Sequence, residues 1–265
     1  MDYEDRLIIY IDILGFSSFI NYTSETRVNS PNKILRINNF LNLIKKFFTI
    51  NDITLSKTRQ VTSFSDLIVI SINLNEIENI DLEIKDIFFL LLTSYLNGFL
   101  LRGAITYGKL IHTENAIFGP GLINAYEKER TIAKYPRVII DDVIISDLLD
   151  LEKMSKLPQN CRDFILRDFD GLFYIDIFNS IRENVDNLWE YLQIIRSICN
   201  ILINMMENPL IKEKYTWLKD KFVFHINEQK QIFKHSLDNN LTKDDLEVIK
   251  MMIYEIDQKE AKKML

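Results

Sequence analysis

The chain has 265 residues, of which 47% are apolar and 26% charged, enough for one sizeable core or a core with an appended subdomain. With 32 basic against 38 acidic side chains the net charge is −6, which argues against a dedicated nucleic-acid binder, because a phosphate footprint needs a clustered basic surface. Cys161 and Cys199 stand in no C-x-x-C spacing, and His112, His225 and His235 are scattered, so no zinc cluster or disulfide framework is readable and a reducing cytoplasm is the expected location. The start Met-Asp-Tyr-Glu-Asp is acidic where an export leader is basic, and apolar runs such as Ile87 to Leu92 and Ile198 to Met206 fall short of a bilayer span, so neither an export signal nor a membrane segment is expected.

Leu7 to Ile13 is an isoleucine-rich run without alternation, the pattern of a strand buried on both faces, and Gly15 permits a tight turn into a helix beginning near Phe16. A second helix is expected after Pro31, with Ile34, Ile37, Phe40, Leu41, Ile44, Phe47 and Phe48 at helical spacing. Thr54 to Phe64 and Leu67 to Leu74 read as a hairpin with Ser65-Asp66 at its tip. A helix from about Leu82 to Asn97, capped by Gly98, precedes a strand from Leu100 to Tyr107 ending at Gly108. Gly119-Pro120-Gly121 opens a helix from Leu122 to about Ala133, Arg137 to Asp141 gives a further strand, and Leu172 to Phe178, after the Asp170-Gly171 turn, gives the last.

From about Val185 the texture turns helical. Leu188, Leu192, Ile195, Cys199, Leu202 and Met206 share one face, with Pro209 as the stop. Helices over about Ile211 to His235 and Thr242 to Lys263 complete the tail, the latter with Thr242 as N-cap. The expected organisation is a domain over residues 1–180 and a helical subdomain over 181–265 docked on it, and His112 is expected in a surface loop.

The chemistry-bearing residues are two aspartates placed where an apolar strand meets a turn, Asp12 and Asp66. Carboxylates on adjacent strand ends suit a hard divalent cation bridging a triphosphate. The turn Leu14 to Ser17, with Gly15, Phe16 and Ser17 entering a helix, offers amides and a positive helix end to phosphate oxygens. Cations able to reach a strand-based pocket are Arg59, Arg102 and Arg137; each also has a plain structural reading, Arg102 as a strand-start charge, Arg59 as a solvated strand residue and Arg137 as a partner of Asp141 or Asp142.

The strings Ile11-Asp12-Ile13-Leu14-Gly15-Phe16-Ser17, Phe64-Ser65-Asp66, Arg102-Gly103-Ala104-Ile105-Thr106-Tyr107-Gly108 and Phe118 to Glu127, with Tyr135-Pro136-Arg137, resemble class III nucleotidyl cyclases, and most of all the pyrimidine cyclases of bacterial anti-phage Pycsar systems. The resemblance runs from about Asp2 to Ile177. It implies an α+β, ferredoxin-like core with an antiparallel sheet and packed helices, in which Asp12 and Asp66, joined by the backbone carbonyl of Ile13, hold two divalent ions, Mn2+ or Mg2+. It also implies a homodimer, cyclisation of a nucleoside triphosphate, and a separate effector protein that responds to the cyclic product.

Departures from the purine cyclases narrow the substrate. Aligning Ala125 puts Ile123 and Glu127 where those enzymes carry a helix asparagine and a transition-state arginine, and Thr62 and Ser63 occupy the region of their purine-reading lysine. The resemblance therefore implies a pyrimidine substrate, UTP ahead of CTP, with one of the three arginines replacing the missing cation. A catalytically silent nucleotide-binding regulator and a purine cyclase with a rearranged pocket are the alternatives.

Overall fold

The computed structural model describes residues 2–25, 30–50, 58–75, 80–153, 163–205, 211–235 and 254. These form two compact units, one of residues up to Ser94 together with Leu100–Asp176, the other of Tyr95–Phe99 with the described residues from Ile177 onward.

The first unit is α+β. Its elements in chain order are β1 (Glu4–Ile13), α1 (Phe16–Glu25), α2 (Ser30–Ile50), β2 (Gln60–Phe64), β3 (Leu67–Asn73), α3 (Ile80–Leu96), β4 (Leu101–His112), β5 (Ile117–Phe118), α4 (Pro120–Thr131), β6 (Val138–Ile140), α5 (Asp142–Lys153), β7 (Ile165–Arg167) and β8 (Phe173–Ile175). The sheet runs β2-β3-β1-β4-β6-β8-β7, with β5 paired to β4. Every pairing is antiparallel, as expected of the sheet, except that of β4 with β6, which is parallel.

β1 lies between β3 and β4 and is buried from Arg6 to Ile11, which explains its unbroken apolar run. Side chains alternate between the two sheet faces. Leu7, Ile9, Ile11 and Ile13 fill one face; Ile8, Tyr10 and Asp12 lie on the other. On that second face Ile8, Tyr10, Val69, Leu110 and Ala125 form a buried cluster joined by Leu67, Ile117 and Leu122. Leu110 and Ile117 reach this cluster because β4 continues past Gly108 and curls over the sheet.

Gly108 is therefore a contact rather than a strand end. A Cβ on it would stand 2.4 Å from the Gly121 Cα, and one on Gly121 would stand 2.4 Å from Ile8 Cδ1, so two glycines let α4 lie against the sheet backbone. The curl also buries His112, expected in a surface loop: its ring bonds Ser71 Oγ and Thr62 Oγ1, both at 2.8 Å, beside Arg6, whose Nε donates to Ser71 Oγ at 2.8 Å. Burial, then the Arg6 charge, pulls the His112 pKa down to about 4, so the imidazole is neutral at neutral pH.

Several other boundaries differ from the expectations. The described part of the first hairpin strand is Gln60–Phe64; its expected start at Thr54 lies outside the described residues, as do Cys161 and nearly all of the expected Thr242–Lys263 helix. The short strands β5 and β7 had no legible periodicity at their length, and helix α5, which buries Ile144, Ile145 and Leu148 at helical spacing, was not among the expected elements. In the second unit α6 (Leu188–Met205) and α7 (Lys212–His235) bury Tyr191, Leu202, Trp217 and Phe222, and the Tyr191 hydroxyl bonds the buried His225 ring at 3.0 Å. Trp189, in the first turn of α6, is exposed.

Replacing Gly108 with Ala is expected to lift α4 from the sheet at a cost of about 1–3 kcal/mol, the range for overpacking. Urea unfolding should show a lower midpoint with an unchanged slope.

Candidate active site

Asp12 stands next to the end of β1 and Asp66 at the tip of the β2–β3 hairpin, and the sheet register brings them together. Asp12 lies opposite Leu67, the residue after Asp66, and the Ile13 N–H donates to the Asp66 carbonyl at 3.1 Å. The two-residue turn needs a left-handed residue, supplied by Ser65 at φ 58°. The side chains of Asp12 and Asp66 lie within hydrogen-bond reach of each other.

On its other side Asp12 pairs in register with Arg102 of β4, and directly opposed residues share a sheet face. Arg102 Nη2 lies 3.6 Å from Asp12 Oδ2. Its Nε forms an ion pair with Glu129 Oε1, a carboxylate near the end of α4 that is 3% exposed. Two carboxylates, Asp12 and Glu129, thus meet at one guanidinium, with Asp66 beside Asp12. Burial first, then the charges of Glu129 and Asp66, push the Asp12 pKa up to about 7 against the opposing pull of Arg102. Tyr10, one step back along the same face, is pushed up to about 12 by burial and then by Glu129 and Asp12; its ring packs edge-on against Tyr126 of α4.

The strand-to-helix turn lies beside this group. Leu14 N–H donates to the Leu100 carbonyl at 2.8 Å, Gly15 turns at φ 77°, and the Ser18 and Phe19 amides close the first turn of α1 on the Gly15 carbonyl. Phe16 is buried, whereas Gly15 and Ser17 are exposed. The opening amides of a helix have no partner within it, so this end is suited to phosphate oxygens.

Arg59 and Arg137 spend their charges elsewhere. Arg59 is buried against Glu83 and Asp86 of α3, each at 3.3 Å. Arg137 is buried between Asp168 and Asp170, stacked near Tyr135 and Tyr174, while Asp141, one of its expected partners, pairs with Lys128. Of the three candidate arginines Arg102 alone is seen with the aspartate pair. Thr62, in the hairpin strand, is bonded to His112.

Glu129 was not legible as a site residue. Its signal was present in the spacing: Gly121, Ala125 and Glu129 recur every four residues on the buried face of α4, so the small-residue stripe that seats the helix ends in a carboxylate. Among the described residues no group of three or more His, Cys, Asp or Glu side chains is arranged to hold a metal ion. A cation here would draw on the Asp12 and Asp66 oxygens together with backbone and substrate oxygens, the usual arrangement for magnesium at a triphosphate. The crowding of desolvated carboxylates around a single guanidinium fits such an ion.

No family model matches the chain, and no curated protein matches it in sequence. Among solved structures it is similar to the monomeric guanylyl cyclase domain of the RhoGC fusion protein from the aquatic fungus Blastocladiella emersonii, at 12% identity and a TM-score of 0.43 over 66% of this chain and 95% of that one. An adenylate/guanylate cyclase/hydrolase from Silicibacter pomeroyi gives 12% identity and 0.36 over 66% and 96%. A class III adenylyl cyclase-like ATP-binding protein from Pseudomonas aeruginosa gives 11% and 0.35 over 76% and 59%. Likeness at this level carries no functional weight; the site geometry does. Among the described residues no helix is long and apolar enough to cross a membrane.

An acid whose pKa is raised on folding holds more protons folded than unfolded, so Asp12 makes stability fall as pH rises from its ordinary 3.8 to about 7. Asp12→Asn removes that slope. In chelator-treated protein the variant should melt higher than wild type at pH 8, by on the order of 1–3 kcal/mol, with the difference shrinking toward pH 4.

Proposed function

We propose that the chain is a metal-dependent nucleotidyl cyclase that converts a pyrimidine nucleoside triphosphate, UTP ahead of CTP, to the 3′,5′-cyclic nucleotide and pyrophosphate. The observation that carries this reading is the meeting of Asp12 and Asp66 at neighbouring strand ends, beside Arg102 and the opening turn of α1.

Attack of a ribose 3′-hydroxyl on its own α-phosphate requires alignment and charge neutralisation rather than a covalent nucleophile. Divalent ions, when bound by Asp12, Asp66 and the Ile13 carbonyl, supply polarisation of the 3′-oxygen and neutralisation of the triphosphate. The chain's own groups do the rest. The amides at Phe16 and Ser17 suit the β- and γ-phosphates without a Walker lysine, and Arg102, whose side chain is 20% exposed, offers a guanidinium to the charge that grows on the leaving pyrophosphate. Arg102 replaces the helix-borne arginine absent at Glu127, and the engagement of Thr62 with His112 is consistent with the lack of a purine-reading lysine there.

The same reading makes the protein a cytoplasmic homodimer, since sites of this class form between two such cores. An interface beside the hairpin would cover Phe64, which lies two residues before Asp66 and is 78% exposed. The biological role is synthesis of a second messenger in anti-phage defence, acting on a separate effector protein. A silent nucleotide-binding regulator and a purine cyclase are the outcomes against which it is tested.

Purified protein incubated with each of the four nucleoside triphosphates and manganese should release a cyclic product from UTP or CTP. Turnover of ATP or GTP alone identifies a purine cyclase, and binding without turnover a regulator. Asp66→Ala should lower turnover by roughly a hundredfold or more with the fold retained by circular dichroism. Sedimentation should show a dimer that Phe64→Ser weakens.

A further inference from the structure

Glu129 is buried and placed where a further carboxylate is costly, near Asp12, which Asp66 also neighbours. A site meant to receive a triphosphate gains nothing from that charge directly, because it repels the anion. What Glu129 does touch is Arg102. The guanidinium forms its short ion pair through Nε with Glu129 Oε1, while Nη2 stands at 3.6 Å from Asp12 Oδ2.

An arginine directly across a sheet from a carboxylate ordinarily closes on it as a two-toothed pair. Here that closure is incomplete, and the competing carboxylate is anchored: Glu129 sits on the face of α4 that Gly121 and Ala125 press against the sheet. The helix holds the glutamate, and the glutamate holds the arginine.

We propose that Glu129 is a positioning residue that keeps the Arg102 guanidinium beside Asp12 rather than on it, leaving the aspartate oxygens open to a cation and the outer guanidinium nitrogens open to a phosphate chain. The inference rests on the cyclase reading for its substrate class and extends it to a residue outside the expected site. Loss of Glu129 lets Arg102 collapse onto Asp12 and blocks both. The effect runs against simple electrostatics, in which removal of a buried negative charge strengthens the binding of an anion.

Inorganic tripolyphosphate with manganese is the probe, titrated by calorimetry into full-length wild type, Glu129→Gln, Arg102→Ala and the double variant, with thermal melts to confirm folding. Glu129→Gln should weaken binding about tenfold, Arg102→Ala should weaken it similarly, and the double variant should be no worse than Arg102→Ala, because the glutamate acts through the arginine. Unchanged or tighter binding by Glu129→Gln overturns the proposal, as does an additional loss in the double variant or a wild type that does not bind the probe. If Glu129→Gln does not fold, Arg102→Lys serves in its place: it retains the charge without the sideways grip and should lose affinity like Arg102→Ala, whereas wild-type affinity overturns the proposal. Nucleotide turnover measured alongside separates the two claims. Wild-type turnover with a normally binding Glu129→Gln sinks the inference and leaves the cyclase standing, and the expected binding pattern without turnover does the reverse.

Discussion

The double pairing of β1 is the constraint on which the rest depends. With β3 on one side and β4 on the other, its register places Asp12 opposite Leu67, hence beside Asp66, and also opposite Arg102. A slip of one residue in either pairing would turn one of these partners to the other face of the sheet. The packing of Ile8 and Tyr10 against Val69, Leu110 and Ala125 opposes such a slip, because a flip would replace that fitted cluster with side chains from the other buried face.

Helix α4 completes what β1 begins. Its close seat depends on the absence of side chains at Gly108 and Gly121, and that seat determines how near Glu129 comes to Arg102. The charges at the site are therefore held by elements packed on a common scaffold: two strands, a hairpin and a helix. Burial first, and then repulsion from Glu129 and Asp66, raises the Asp12 pKa, a cost tolerated because the surrounding sheet is well packed. Sites that handle charged substrates commonly spend stability in this way.

The remaining buried charges follow a different logic. Arg59 with Glu83 and Asp86, and Arg137 with Asp168 and Asp170, are ion pairs that tie the hairpin to α3 and the start of β6 to the β7–β8 turn. Removing one member of such a pair leaves a buried charge without its counterion, which costs about 3–5 kcal/mol. Three arginines of similar sequence setting thus divide into one at the candidate site and two braces.

The order of the long elements, the strand-turn-helix start, the hairpin tip and the positions of Asp12 and Asp66 were all legible in the chain, because they depend on local periodicity and on turn residues such as Gly15 and Ser65-Asp66. The curl of β4 past Gly108 was not, since a glycine that ends a strand and one that admits a helix look alike until the helix is present. Nor was the burial of His112, the division of labour among the arginines, or the part played by Glu129. Each of these is decided by partners far along the chain, from Arg59 with Glu83 to Arg102 with Asp12, and distance along the chain carries no record of which opposite charges will meet once the sheet has closed.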